Sequence, residues 1–141
     1  MLQCIHPETW APTRGYSAGM LGEGKVLYIA GQIGWNANQQ FETEDFVEQF
    51  TQTLKNVIAV VRSAGGSPED ISSLTVYVTD LSMYRARLRE LSEPWKQLMG
   101  KHYPAMALVG VTGLVEEKAQ IEIQGFAVLS KTIENVGIAS E

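Results

Sequence analysis

The sequence predicts a single α+β domain, residues 1–141, with the element order β-β-α-β-α-β-β. Three observations support this fold class. The length of 141 residues is typical of one domain and too short for two ordinary cores. Hydrophobic residues make up 45% of the chain and charged residues 19%, which is a globular composition rather than a disordered one. Two segments repeat apolar residues at helical spacing, and short runs rich in β-branched residues surround them.

The first two strands are predicted to form a hairpin. Residues 16–20 lead into residues 22–24, which have the composition of a turn, and residues 25–31 continue as the second strand. Gly31 is expected to end or bend that strand. Residues 1–15 are interrupted by prolines and are predicted to be irregular and peripheral.

The first helix is predicted over residues 44–64. Thr43 is its expected N-cap, and Gly65 and Gly66 are its expected stop. Its apolar residues recur at helical spacing: Phe46, Phe50, Leu54, Val57, Ile58, Val61 and Ala64. A serine, a proline and two acidic residues at 67–70 then indicate a short helical turn.

A second helix is predicted to begin after Asp80, which caps it, and to stop at Gly100. Pro94 is expected to kink or restart this helix, because proline lacks the N–H donor and its ring clashes with the preceding turn. Three arginines are interpreted as a solvated face of the helix: Arg85, Arg87 and Arg89.

Three further strands are predicted from apolar and alternating runs at residues 74–79, 107–111 and 119–128. Two helices can cover only one face of the sheet, yet several strands are apolar on both faces. The uncovered face is therefore expected to pack against another copy of the chain. Residues 130–141 lack periodicity and are predicted to form a peripheral tail.

Charge and composition exclude several classes of partner. The formal net charge is -5, and an acidic chain repels phosphate backbones, so no nucleic-acid partner is expected. No apolar stretch approaches the roughly 18 residues that suggest a membrane span, and no signal peptide is recognisable, so the expected location is cytoplasmic. Cys4 is the single cysteine, which excludes an internal disulfide. His6 and His102 have no carboxylate or cysteine at metal-ligand spacing, so no metal site is expected.

Five short segments carry a resemblance to a known family: residues 29–34, 64–70, 76–80, 102–105 and 121–123. Their order and approximate spacing resemble the Rid family, also called the YjgF/YER057c/UK114 family, over about residues 16–129, the expected core. The resemblance implies a fold like that of chorismate mutase, in which two helices back a mixed sheet. It also implies a homotrimer with a barrel-like core and small-molecule pockets between the subunits.

The resemblance implies hydrolysis of reactive enamines or imines to carbonyl compounds and ammonia, without a cofactor. Two alternatives stay open beside this hydrolase. One is a non-catalytic trimer that binds a small ligand or regulates another process. The other is the endoribonuclease or translation inhibitor that older family labels name, against which the net charge of -5 and the lack of a legible nucleophile set argue.

Glu122 matches the family's acidic residue and is the predicted catalytic group, because a carboxylate can hold and activate water beside an imine carbon. Gln120 and Gln124 continue the same alternation, so Glu122 can equally belong to a wet strand face. Tyr16 matches a tyrosine that lines the family's cleft, or is an ordinary strand aromatic. Gly31 matches a glycine whose backbone faces the ligand, which is compatible with a bulge or strand end.

Met106 is the largest departure from the family pattern. Deaminating members have an arginine there, whose guanidinium grips the substrate carboxylate, and losing such a hydrogen bond costs about 1.5–3 kcal/mol. A standard 2-iminopropionate deaminase is therefore not expected, whereas a larger, less polar imine is compatible with the apolar thioether. Arg14 is either a displaced cation or a solvated loop residue, and Leu108 is a further candidate substrate-binding residue.

Overall fold

The computed structural model describes residues 1–130, and the predicted tail lies outside the described residues from residue 131 onward. Within residues 1–130 the chain forms six strands and two α-helices. In chain order these are β1 (Gln3–Ile5), β2 (Gly19–Leu21), β3 (Lys25–Ile33), α1 (Phe46–Ser63), β4 (Ile71–Val78), α2 (Leu81–Met99), β5 (Ala105–Gly110) and β6 (Ile121–Leu129). A single 3-10 turn, Pro68–Asp70, precedes β4, as the serine-proline pattern predicts.

The main sheet has four strands in the order β3-β6-β4-β5. The pairs β3–β6 and β6–β4 are antiparallel, and the pair β4–β5 is parallel, so the sheet is mixed. α1 packs against β3 and β6, and α2 packs against α1. This arrangement of two helices on one face of a mixed sheet confirms the predicted α+β fold class.

The predicted N-terminal hairpin is wrong. β2 pairs antiparallel with β1, and these two strands form a separate small sheet. β1 lies within residues 1–15, the segment predicted to be irregular. β3 pairs instead with β6, starting from Lys25 opposite Leu129. The physical reason is length, because β6 offers nine residues for pairing whereas β2 has three.

The N-terminus of α1 is capped by Asp45, not by the predicted Thr43. The Asp45 carboxylate accepts a hydrogen bond from the backbone N–H of Glu48 at 3.0 Å, and Thr43 Oγ1 accepts one from the N–H of Asp45. Arg87 from α2 reaches the same carboxylate at 3.1 Å and also pairs with Glu90, so this arginine is ion-paired rather than simply solvated. The Glu48 N–H, and then the Arg87 guanidinium, lower the pKa of Asp45.

α2 begins after Asp80 and ends at Gly100, as predicted, but it runs through Pro94 without the expected restart. Leu91 and Trp95 lie on either side of the proline and are buried in the core. Because both anchors hold the helix against the rest of the domain, the hydrogen bond that Pro94 removes does not end it.

A buried glutamine fixes the entry into β6. Gln49 on α1 is fully buried, and its amide nitrogen donates to the carbonyl of Lys118 at 2.9 Å. Its amide oxygen accepts from the backbone N–H of Gln120 at 2.9 Å. These bonds attach the start of β6 to the helix, which sets the position of Glu122 two residues later.

The face of the sheet away from the helices, called the open face below, carries exposed apolar side chains. Tyr28 is 75% exposed, and Val26, Val109 and Phe126 are also exposed. Tyr28 and Phe126 stack edge to face with ring centroids 5.4 Å apart. An apolar cluster of this kind on one flat face is typical of a surface that another subunit covers.

Candidate functional site

Glu122 is the second residue of β6 and lies on the open face. This end of β6 pairs with the end of β3, next to an irregularity in the pairing of the two strands. The neighbours of Glu122, Ile121 and Ile123, are fully buried against the helices, so alternation places the carboxylate on the opposite side, where it is half-buried. Gln124 shares this face and accepts a hydrogen bond from the Tyr77 hydroxyl at 3.1 Å. The carboxylate thus belongs to a polar row that interrupts an otherwise apolar face.

Gly31 and Glu122 are in close contact across β3 and β6. The pairing of these strands shifts between Ile29 and Gln32, which forms a bulge at Gly31. A Cβ at residue 31 would lie 2.6 Å from Oε2 of Glu122 and 2.8 Å from its Cδ, so any larger residue would displace the carboxylate. The bulge also removes Gly31 from the ladder of cross-strand pairs, which leaves its backbone available beside the acid.

Arg14 and Tyr16 approach the sheet from the N-terminal segment. Gly15 between them has φ 78°, a left-handed conformation that glycine adopts readily, and it turns the chain at this point. Ser17 then fixes the segment to the start of β5, because its N–H donates to the carbonyl of Pro104 at 3.0 Å. Tyr16 precedes β2, so it is not the ordinary strand aromatic of the alternative interpretation.

Four predicted site residues meet at a cavity of about 570 Å³ between α2 and β5, called the α2–β5 cavity below. They are Arg14, Tyr16, Met106 and Leu108. Met106 and Leu108 are opposite Leu74 and Val76 of β4, whose side chains are buried on the helix side of the sheet. This volume falls within the range of pockets that hold small molecules.

The α2–β5 cavity has apolar walls and a basic mouth. Arg14 and Lys96 are its charged lining residues, and both are exposed to solvent, which places them at the mouth. No carboxylate lines the cavity within the part of the chain that the structure describes. Trp95 and Tyr103 stack in parallel at one end, with ring centroids 5.8 Å apart. Burial raises the pKa of the Tyr84 hydroxyl, so this group stays neutral in the cavity wall.

The predicted site residues therefore form two groups in one chain. Glu122 and Gly31 meet on the open face, whereas Met106 and its neighbours lie on the helix side. β4 separates β5 from β6, so the strands that carry Met106 and Glu122 are about 10 Å apart across the sheet, and the two groups lie on opposite faces. A single chain does not bring the predicted carboxylate to the predicted substrate-binding residues.

The sequence reasoning missed the part of the cavity that α2 provides. Tyr84, Leu88, Trp95 and Lys96 line it, and none of them was a candidate site residue. The first three recur at helical spacing, and this pattern predicts a stripe packed in the core as well as it predicts a cavity wall. Their position beside the edge strand β5, where the sheet ends, is what leaves an open cavity instead of a filled core.

Within residues 1–130, no group of three or more His, Cys, Asp or Glu side chains is arranged to hold a metal ion. No helix in that part of the chain combines the length and the apolar character needed to cross a membrane. Cys4 is an exposed free thiol on β1, and its Sγ lies 3.3 Å from Oγ of Ser17.

Comparison with known proteins assigns a family to this architecture. The sequence profile of the family described as Endoribonuclease L-PSP matches residues 7–129. A RutC family protein of Aquifex aeolicus is 37% identical over 123 residues, which cover 86% of this chain and 94% of that protein. TdcF of Escherichia coli K12, provisionally named a reactive intermediate deaminase, is 32% identical over 110 residues, covering 76% and 81%.

A solved structure extends the likeness to three dimensions. YyfB from Yersinia pestis is described as a protein of unknown function of the conserved Rid protein family. It superimposes with a TM-score of 0.82 and is 33% identical in sequence. The match covers 91% of this chain and 98% of that one, so the likeness extends over nearly the whole domain.

Proposed function

Because the chain belongs to the Rid family, whose profile carries the name Endoribonuclease L-PSP, we propose that it hydrolyses a reactive imine or enamine to a carbonyl compound and ammonia. The observation that carries this proposal is the contact between the Glu122 carboxylate and the Gly31 bulge. The provisional name of TdcF, a reactive intermediate deaminase, supports the reaction class. The proposed reaction needs no cofactor.

In the proposed reaction Glu122 acts on water. An enamine first takes a proton at carbon and becomes an iminium ion, the protonated form of the imine, whose carbon is electrophilic. Glu122 accepts a proton from a water molecule as the oxygen attacks that carbon, which gives a neutral carbinolamine. The protonated carboxyl gives this proton to the nitrogen, and the carbon–nitrogen bond breaks. Ammonia leaves as the Glu122 carboxylate accepts the proton of the carbinolamine hydroxyl, which becomes the carbonyl.

We further propose that the working form is a homotrimer in which Glu122 of one subunit faces the α2–β5 cavity of the next. Two observations support this arrangement. The open face exposes apolar side chains that a monomer would leave in water, and β5 is an edge strand beside the cavity. A cleft between subunits would join the two groups of residues that one chain keeps apart.

Tyr28→Asp is expected to convert the trimer to monomers, because it places a carboxylate without a partner in an apolar interface. Light scattering coupled to size exclusion measures the mass. Since Tyr28 is 75% exposed in the isolated chain, the fold of the monomer should be retained. Leu21→Asp is the matched control, because Leu21 is also exposed but lies on the small sheet of β1 and β2. A Tyr28→Asp trimer, or a monomeric wild type, would contradict the assembly.

Ammonia release by the purified wild-type protein tests the reaction directly. The imines are generated in situ by an amino acid oxidase, from alanine for 2-iminopropionate and from leucine or phenylalanine for bulkier imines. We expect acceleration over spontaneous hydrolysis for the bulky imines and little for 2-iminopropionate, because Met106 gives no cation for a small carboxylate. No acceleration for any imine would reject the proposed reaction.

A second candidate is a trimer that binds a small ligand without turning it over. The α2–β5 cavity favours it, because its volume and apolar walls suit a ligand even where the chemistry is lost. Ligand binding without ammonia release would distinguish this candidate, since a bound ligand raises Tm by mass action.

A further inference from the structure

We infer that the α2–β5 cavity recognises a carboxylic acid with a bulky apolar group, holding the carboxylate at Arg14 and Lys96 and the apolar group against Met106. The inference rests on the proposed function for the identity of that acid as an imino acid. Recognition itself requires only binding, so it can be tested without turnover.

The size and lining of the cavity define the apolar part of the ligand. A three-carbon acid fills only a small part of about 570 Å³. Phe50, Leu91 and Met106 present hydrocarbon and thioether surface there, which favours an apolar group on the ligand. Each additional methylene that is buried against such a wall strengthens binding by about fourfold.

The two basic residues at the mouth of the cavity indicate that the ligand carries an acidic group. Arg14 and Lys96 both line the cavity, and neither forms an ion pair with any residue in 1–130. The left-handed turn at Gly15 and the Ser17 hydrogen bond that follows it fix the course of the backbone next to Arg14. Two cations beside an apolar cavity that no carboxylate of residues 1–130 lines complement an anion with an apolar body.

The position of these cations has a consequence for selectivity. Where the family pattern has arginine, the cation lies on β5 at residue 106, inside the cavity. Here residue 106 is apolar and the cations lie at the mouth, so the interior is available to the side chain of the ligand. Affinity should therefore rise with the length of the apolar group.

Calorimetry with stable acids tests the inference. We expect the wild-type protein to bind 4-methylpentanoate at least about tenfold more tightly than propanoate, since three more carbons are buried. The amide 4-methylpentanamide has the same shape without the charge, and it should bind about tenfold more weakly than the acid. Equal affinity for long and short acids, equal affinity for acid and amide, or no binding of either acid would overturn the inference.

Two variants locate the site. Leu88→Glu adds a carboxylate to the cavity wall, and Arg14→Ala removes a cation, so each should weaken binding of the acid by about fivefold to tenfold more than it weakens binding of the amide. Met83→Glu is the matched control, because Met83 is on the same helix and exposed but does not line the cavity. Acid affinity unchanged in both cavity variants, or reduced equally in Met83→Glu, would place the ligand elsewhere.

The binding and turnover results separate the two proposals. Tight binding of long acids without hydrolysis of any imine would retain the inference and reject the reaction. Hydrolysis of imines with no dependence of acid binding on chain length would retain the reaction and reject the inference.

Discussion

Glu122→Gln is expected to lower the rate of ammonia release by about 10²–10⁴-fold, the usual contribution of a general base. The amide has the shape of the carboxylate but cannot accept a proton from water. Because Glu122 is half-buried on the open face and forms no ion pair within residues 1–130, the fold and the trimer should be unaffected. The loss should appear in kcat, with KM nearly unchanged, since binding is assigned to the α2–β5 cavity.

Glu117→Gln is the matched control for this substitution. It makes the same chemical change at an exposed residue of the loop before β6, where we expect no effect on kcat. If Glu122→Gln retained the wild-type kcat, Glu122 would have no catalytic part. It would then be only a polar member of the open face, beside Gln124.

Mixed trimers test whether the carboxylate and the cavity come from different subunits. Glu122→Gln removes the base, and Met106→Glu places a carboxylate inside the cavity, so each variant alone should be inactive. Co-expression with two tags isolates trimers that contain both variants. In a ring of three, each mixed trimer has one cleft with both intact groups, so about one third of the wild-type activity should return. If both groups served the same cleft from one subunit, mixed trimers would stay inactive.

Much of the fold was predictable because its signals are local. The apolar spacing in α1, the Asp80 cap and the Gly100 stop all act within a few residues. Strand pairing is different, because it depends on residues far apart in sequence. β3 has the same local pattern whether it pairs with β2 or with β6, and β1 is too short for any periodicity.

The two groups of candidate site residues also differ in how far the local sequence predicts their positions. The face of Glu122 can be deduced from the sequence, because Ile121 and Ile123 flank it in strict alternation. The face of Met106 cannot, since the strand from Ala105 to Gly110 is apolar on both sides. The resemblance joined Glu122 and Met106 into one site, and only the register of the sheet separates them within a chain.

The cavity shows a limit of a different kind. A stripe of Tyr84, Leu88 and Trp95 at helical spacing indicates a buried face, but not whether the space in front of it is filled. That space depends on where the sheet ends, and β5 is the last strand. The open volume is therefore a property of the topology and has no local sequence signal.

Met106→Arg is expected to raise the rate of 2-iminopropionate hydrolysis by about tenfold to a hundredfold, because a guanidinium can hold the small carboxylate through two hydrogen bonds. The same change should weaken binding of 4-methylpentanoate, since the arginine occupies the apolar interior. We measure ammonia release from 2-iminopropionate and from the leucine-derived imine for the wild type and for Met106→Arg. The two proteins should prefer opposite substrates.

Two further substitutions show which property of arginine is responsible. Met106→Leu keeps the volume and the apolar character, so selectivity should stay as in the wild type. Met106→Lys supplies the charge without the planar fork, so it should gain less than arginine does. If the wild-type protein already hydrolysed 2-iminopropionate rapidly, residue 106 would not set the selectivity. The cation at the mouth, Arg14, would then hold even the smallest carboxylate, and loss of that activity in Arg14→Ala would identify it.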